Sequence, residues 1–429
     1  MTAQSRRSFI GTAAAVAAMG FACGKSKPSV SILEQRDTAP GGSLLTAGLI
    51  GCGGRGKGAA LNYINAGPNL EVTALGDVFQ DRVDDARKSI MEEGHQTVPE
   101  DRCFVGFNAF QKVIDSGVDV ILLATPPHFR PEHFAAAVNA DKHVFTEKPV
   151  AVDPAGVLSI IETAGQAKTK GLTVVSGTCY RHQKQVLETY RRVAEGAIGE
   201  ILSARCYYNV GQLWYSDREE GWSDMECQIR DWVNWNWLSG DHIVEQHVHN
   251  LDTIAMFLGE HPVKAVGFGS RMRRVTGDQY DNFSIDFEYE SGLHLSSMCR
   301  QIDGCHNNVS DYLVGTKGAT NCHDTIFNQD GSVMWKFEVK EGDKEPNGMY
   351  DQEHIDMVTA IRTSEPLNEA AETAESTLTG IMGRESAYTG KEIVRSELLK
   401  SEMRLGPETY ALGPADMEAV IPIPGKGKS

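Results

Sequence analysis

Two kinds of chemistry can be read from the residue types and spacings of this chain, and the first is a grip on a pyrophosphate. The apolar run 44–50 leads straight into Gly51-Cys52-Gly53-Gly54-Arg55-Gly56, a G-x-G-x-x-G spacing. In such a loop Gly51 allows the tight turn, Gly53 lets the backbone approach phosphate, and Gly56 lets the next helix pack close to its strand. The helix N-terminus adds N–H donors and the positive end of a dipole. A second strand-like run, 71–76, ends in Asp77, where the ribose hydroxyls of NAD require an acceptor. Asp77 would repel a 2′-phosphate, while Arg82 nearby keeps NADP as the second candidate.

The second chemistry is proton handling at an alcohol. Oxidising a secondary alcohol needs a hydride acceptor, a base for the hydroxyl proton, and a cation or donor to hold the developing alkoxide. Lys148 follows an apolar run and precedes Pro149, which biases it to extended backbone and sets it at the carboxyl edge of a parallel sheet, where doubly wound folds bind ligands. Glu245 and His249 are four apart, so on a helix they share one face and the acid can orient or charge the histidine. His249 is the candidate base. His242, Glu245 and His249, or Cys305-His306 with Cys322-His323, also offer metal-ligand types. Proton transfer accounts for the first set and strand packing for the second, so no metal is expected. Five of the six tryptophans (Trp214, Trp222, Trp232, Trp235 and Trp237) lie between positions 214 and 237, among Asp224, Glu226, Arg230 and Asp231. Sugar faces stack on aromatic rings while hydroxyls take charged partners, so Trp232 and Trp235 are candidate sugar contacts, with dimer contact or core packing as the alternative.

These residues need elements to hold them. Strand-like runs at 118–124, 143–148 and 172–177 alternate with helical segments, a pattern that demands a parallel sheet covered on both faces. Beyond about Gly199 the runs 201–208, 282–289 and 292–298 alternate with period two, as antiparallel strands with one covered face do. After Asp351 the pattern returns to helix through Ile355, Met357 and Ile361. The expected fold is an α/β Rossmann domain over 44–177, then an α+β domain over 178–390 with a large open, mainly antiparallel sheet. Its helices after 351 should pack back on the first domain, and 391–429 is left as a tail.

Composition and the first residues set the context. Ser5-Arg6-Arg7-Ser8-Phe9-Ile10 precedes the alanine-rich run 11–22, the layout of a twin-arginine export signal. Cys23, after Gly20-Phe21-Ala22, offers a position for a lipid anchor, and 24–43 reads as a tether. The 41 basic and 58 acidic residues leave a formal charge of −17, which argues against nucleic acid. No later segment is apolar enough to span a membrane. Nine cysteines form no C-x-x-C pair, and a chain exported after folding keeps mostly free, buried thiols.

Taken together, Gly51–Gly56, the turn Ala124-Thr125-Pro126-Pro127, the triplet Glu147-Lys148-Pro149, Tyr180-Arg181 and the run 240–252 resemble the Gfo/Idh/MocA family of sugar and cyclitol oxidoreductases over nearly all of the mature chain. The resemblance implies NAD(P) held by Gly51, Gly53, Gly54, Arg55, Gly56, Asp77, Thr125, Pro126, Glu147 and Lys148. It sets Lys148 and His249 on either side of the substrate alcohol and Tyr180, Arg181 and His247 along the substrate pocket. Glu245 stands where many relatives have Asp, and His247 where they commonly have a small residue. Homodimers or homotetramers through the open sheet are implied too. Because the periplasm holds little free NAD, an exported member must keep its cofactor bound. The expected activity is oxidation of a ring hydroxyl of a sugar or glycoside to a keto-sugar. The alternatives are a redox-neutral glycosidase acting by transient C3 oxidation and elimination, and a non-enzymatic sugar-binding protein.

Overall fold

The computed structural model describes residues 34–342 and 345–426. The paired arginines, the run 11–22 and Cys23 lie outside them. Strands β1 (Leu45–Ile50), β2 (Leu70–Asp77), β3 (Cys103–Val105), β4 (Val120–Leu123), β5 (His143–Thr146) and β6 (Val174–Ser176) form one parallel sheet in the order β3-β2-β1-β4-β5-β6. Helices cover both faces, which is why β4, Val-Ile-Leu-Leu, is apolar at every position and wholly buried. The strand order reverses between β1 and β4. At such a switch point the connections leave in opposite directions, and a crevice opens at the carboxyl ends.

The second sheet has nine strands: β7 (Ile201–Val210), β8 (Lys264–Ser270), β9 (Asn282–Glu288), β10 (His294–Gln301), β11 (Asn308–Gly315), β12 (Gly318–Thr320), β13 (Thr325–Asn328), β14 (Val333–Lys336) and β15 (Ile393–Val394). Their order is β14-β13-β12-β11-β7-β10-β9-β8-β15. Every neighbouring pair is antiparallel except β7 and β10, which run parallel at the centre. Period two has its physical cause in one covered face: β9 buries Phe283, Ile285 and Phe287 and turns Ser284 and Asp286 outward. The helix Ala370–Thr389 lies on that inner face. It carries Gly383 at the crossing, where a Cβ would come within 2.9 Å of Ile243 and 3.0 Å of Phe287.

The helix Met349–Thr363 packs against the helix Gly54–Asn65 of the first domain. Residues 35–43, read as the end of a tether, are instead docked on that domain. Ala39 is buried and its N–H donates to the Ala66 carbonyl at 2.8 Å, while Arg362 donates to the carbonyls of Pro40 and Ser43. All eight described cysteines are free, and six are buried. Among the described residues no helix is long and apolar enough to cross a membrane.

Candidate active site

The glycine loop is built as a cradle. Gly51 has φ +93°, and a Cβ there would meet the Thr125 backbone nitrogen at 2.5 Å; a Cβ on Gly56 would lie 1.9 Å from the Gly51 carbonyl oxygen. Only glycine fits at either place. A Cβ on Gly54 would meet nothing within 4 Å, so the loop is open above it. No side chain caps the Gly54–Asn65 helix, whose first N–H groups face that opening. Asp77 accepts from the Cys52 N–H at 2.7 Å and the Phe79 N–H at 3.0 Å. Burial pushes its carboxyl above the ordinary range, offset in part by those N–H groups and by Arg82. A cleft of about 250 Å³ opens beside it, lined by Asp77, Val78, Phe107, Thr125, Pro126 and Tyr410 among others. An acid, free N–H groups and a glycine floor are the donor set an anionic dinucleotide requires, so these residues fit NAD.

Arg130 fixes the neighbouring loops. It was not foreseen, because nothing around it in sequence marks it. Buried, it donates to the Thr125 carbonyl at 2.8 Å and the Pro149 carbonyl at 2.5 Å, tying the turn after β4 to the loop after β5. Lys148 precedes Pro149 through a cis peptide bond. Its ammonium donates to the Glu245 carbonyl at 2.6 Å and to Glu245 Oε1 at 3.0 Å, with its side chain 10% exposed.

Here the sequence reading needs correction. Glu245 and His249 do not share one helix: Glu245 ends His242–Glu245, and Val248–Leu258 begins after a break at Gln246 and His247. Freed from that face, the Glu245 carboxylate turns to Lys148. His249 is buried, with its ring 5.2 Å from that of Tyr180 and its Nδ1 without a hydrogen-bond partner. Burial, and then the charge of Lys148, hold its pKa well below the ordinary histidine range. The pair is thus a cation with a carboxylate behind it and a neutral imidazole beside it.

Other expected contacts are used inside the protein. Arg181 makes a two-point ion pair with Asp252, at 2.7 and 2.9 Å, and Ser376 donates to the same carboxylate. His247 is fully buried against the second sheet, with Nε2 2.7 Å from Ser297 Oγ. Trp235 is buried in a cluster with Phe79, Phe129, Met225, Ile229 and Leu238, and Trp232 packs on its edge. For Trp235 core packing, the alternative reading, prevails because its segment folds against Phe79 and Phe129 of the first domain, while Trp214 stays 48% exposed. Arg55 bonds Glu147 at 2.5 Å and Glu353 at 2.6 Å, so its guanidinium braces the Glu147-Lys148 segment instead of facing the glycine loop. Gly177 makes room for Glu147, whose Oε2 would lie 2.5 Å from a Cβ there. Among the described residues no three His, Cys, Asp or Glu side chains converge as metal ligands.

Tyr180 also borders a cavity of about 420 Å³ together with Asn250, Asp311 and His323. Asp311 is a second residue that sequence reading missed. Burial pushes its carboxyl up to about 8, and Asn250 donates to it at 2.9 Å. Its signal was available: in β11 it occupies an inward position beside Leu313, where a strand packed on a core carries an apolar residue.

Comparison with known proteins accounts for this arrangement. Residues 45–176 match the Gfo/Idh/MocA oxidoreductase model, described as an NAD-binding Rossmann fold, and 186–321 match the family's C-terminal domain. The chain belongs to the Gfo/Idh/MocA family. It is therefore an oxidoreductase whose first domain binds NAD. It is 25% identical over 282 residues to the 2,7-anhydro-N-acetylneuraminate hydratase of Escherichia coli (strain K12), spanning 64% of this chain and 67% of that protein. It is 24% identical over 230 residues to a glycosyl hydrolase family 109 protein of Streptomyces coelicolor, spanning 50% of this chain and 47% of that one. Among solved structures, scyllo-inositol dehydrogenase from Lactobacillus casei, with bound NAD(H) and scyllo-inositol, superposes with a TM-score of 0.61 at 18% identity, covering 82% of this chain and all of the other. At that identity the likeness speaks for the fold.

Proposed function

We propose that this Gfo/Idh/MocA protein is an exported oxidoreductase that takes a ring hydroxyl of a sugar or glycoside to the ketone with a tightly held NAD. The observation that carries the reading is Lys148 braced by Glu245 beside a neutral, buried His249 at the open edge of the glycine-loop sheet. Bound NAD⁺ supplies the two-electron acceptor for the carbinol carbon. Lys148 donates a hydrogen bond to the alcohol oxygen and holds its charge as it becomes an alkoxide. His249, neutral at working pH, accepts the hydroxyl proton. Glu245 fixes the lysine's position and balances its charge. Tyr180, with Asn250 and Asp311 behind it, offers hydroxyl, amide and carboxyl partners to the other sugar hydroxyls. The Ser5-to-Ala22 layout supports export. Val266, Phe268 and Met298, exposed and outward on the second sheet, support self-association through that face.

Similarity to a hydratase and to a family 109 glycosyl hydrolase favours one second reading, in which oxidation is transient and serves elimination. Purified protein incubated with a panel of glycosides and followed by mass spectrometry separates the two. Keto-glycoside with an intact aglycone bond supports net oxidation; released sugar with no net redox change supports elimination. Neither product from any glycoside, in a protein that carries NAD, overturns both.

A further inference from the structure

The cleft beside Asp77 has one wall that the glycine-loop domain does not supply. Past the acid that faces the ribose, its lining turns apolar through Phe107, Pro126, Phe129, Ile229 and Tyr410, the surroundings an adenine ring takes. Ile229 comes from the helix Asp224–Arg230, and Tyr410 from the segment 399–426, which lies beyond the residues matched by either family model. That segment has no helix or strand, yet it is pinned along its length. Leu405 N–H donates to Asp153 at 2.8 Å, the Met225 N–H to the Gly413 carbonyl at 3.1 Å, and the Gln228 amide to the Asp416 carbonyl at 2.6 Å. Helix and segment therefore form one body.

Beside the Leu405–Asp153 contact, two side-chain fasteners near the cleft hold this body to the first domain. Tyr410 Oη lies 2.7 Å from His128 Nε2, and its ring packs against Phe107 and Phe129 at 5.9 and 5.2 Å. Arg230 donates to both oxygens of Asp81 at 2.8 and 2.9 Å, just after β2, and its guanidinium sits 4.0 Å above the Phe79 ring. Bidentate pairs of this kind fix geometry as well as charge.

We propose that residues 399–426, joined to the helix Asp224–Arg230, form a cofactor-retaining roof in which Tyr410 closes the adenine side of the NAD cleft. Bound NAD leaves only when the Tyr410–His128 and Arg230–Asp81 fasteners part. The tryptophan-rich segment then acts on the cofactor end of the molecule and not on the sugar. The inference rests on NAD binding by this domain and gives the tight retention proposed above a physical basis.

The test loads the full chain with NADH, chases it with excess NAD⁺, and follows the loss of bound-NADH fluorescence. Tyr410→Ala removes the wall and should release NADH about tenfold faster or more, since changes at a binding surface fall mainly on the dissociation rate. Tyr410→Phe, which keeps the ring and loses the His128 contact, should lie between that variant and the parent. Asp81→Asn alters a largely exposed carboxylate, so it leaves folding intact and should also speed release. If melting shows Tyr410→Ala to be unfolded, Asp81→Asn and Tyr410→Phe decide. Release at the parent rate from all folded variants overturns the roof. A parent that carries no NAD after purification and takes up no NADH overturns the cofactor reading beneath it.

Discussion

At the scale of single residues, the proposed chemistry rests on two neighbouring groups. Lys148 helps hold the His249 pKa down, and burial does the larger part. The histidine therefore stays neutral as pH falls through about 6.5, the ordinary histidine value, and remains able to take a proton. Oxidation by the parent should keep its rate across that region, and a loss centred there would show that His249 is not the base. His249→Ala should lower turnover about 10²–10⁴-fold, the range for a lost general base, with NAD binding kept. Lys148→Ala should do the same and raise the KM for sugar. The double variant should be little worse than the poorer single one, because both serve one proton transfer. Steady-state kinetics with NADH-binding controls would show it; additive losses would place the catalytic centre elsewhere.

At the scale of elements, the site depends on a turn held from two sides. Tyr180 lies in the short turn Cys179–His182. Within that turn Arg181 is paired to Asp252 of the Val248–Leu258 helix, and His182 lies between Asp356 at 2.7 Å and Glu369 at 3.4 Å. Burial opposes a charge on His182, but Glu369 and Asp356 outweigh it and hold the pKa well above the ordinary range. A raised folded pKa means that the imidazolium contributes its full stability below about 6.5 and loses it as pH rises through the folded value. His182→Gln leaves the buried Asp356 and the partly buried Glu369 unbalanced and should cost about 3 kcal/mol in mildly acidic buffer, the low end for a broken buried pair. Thermal melts of parent and variant should differ most near neutral to acidic pH and converge in alkali. A gap that widens with rising pH would mean that His182 is neutral in the fold.

At the scale of the whole molecule, the two sheets have different solvents. Helices seal the first sheet on both faces, whereas the second turns Val266, Phe268, Met298 and Val314 away from its covering helix. Phe268 is 72% exposed, a large apolar surface to leave in water. If copies of the chain pair through this face, Phe268→Glu should lower the mass measured by light scattering and leave the melting curve of the protomer largely unchanged. An unchanged mass would remove this face from any assembly.

How much of this was legible beforehand follows from the range of the forces involved. The glycine loop, β4, β5, β9 and the return to helix after 351 are local: periodicity and a missing Cβ act within a few residues, so sequence alone determined the two-sheet fold and a first domain that binds NAD, and it supplied Gly51–Gly56, Asp77, Lys148 and His249 as the candidate site residues. Register, break and partner choice are not local. Glu245 meets Lys148, 97 residues away, across a helix break at Gln246 and His247, and so tertiary structure decided that Glu245 serves Lys148 and not His249. The same holds for Arg55, claimed by Glu353, and for Trp235, drawn into a core with Phe79 and Phe129 of the first domain, on which Tyr410 and Ala415 also pack. Tryptophans, arginines and histidines carry both apolar area and hydrogen-bonding groups, so composition fits a sugar site and a packed interface equally. Only the folded neighbours, which set what each group loses in leaving water, separate the two.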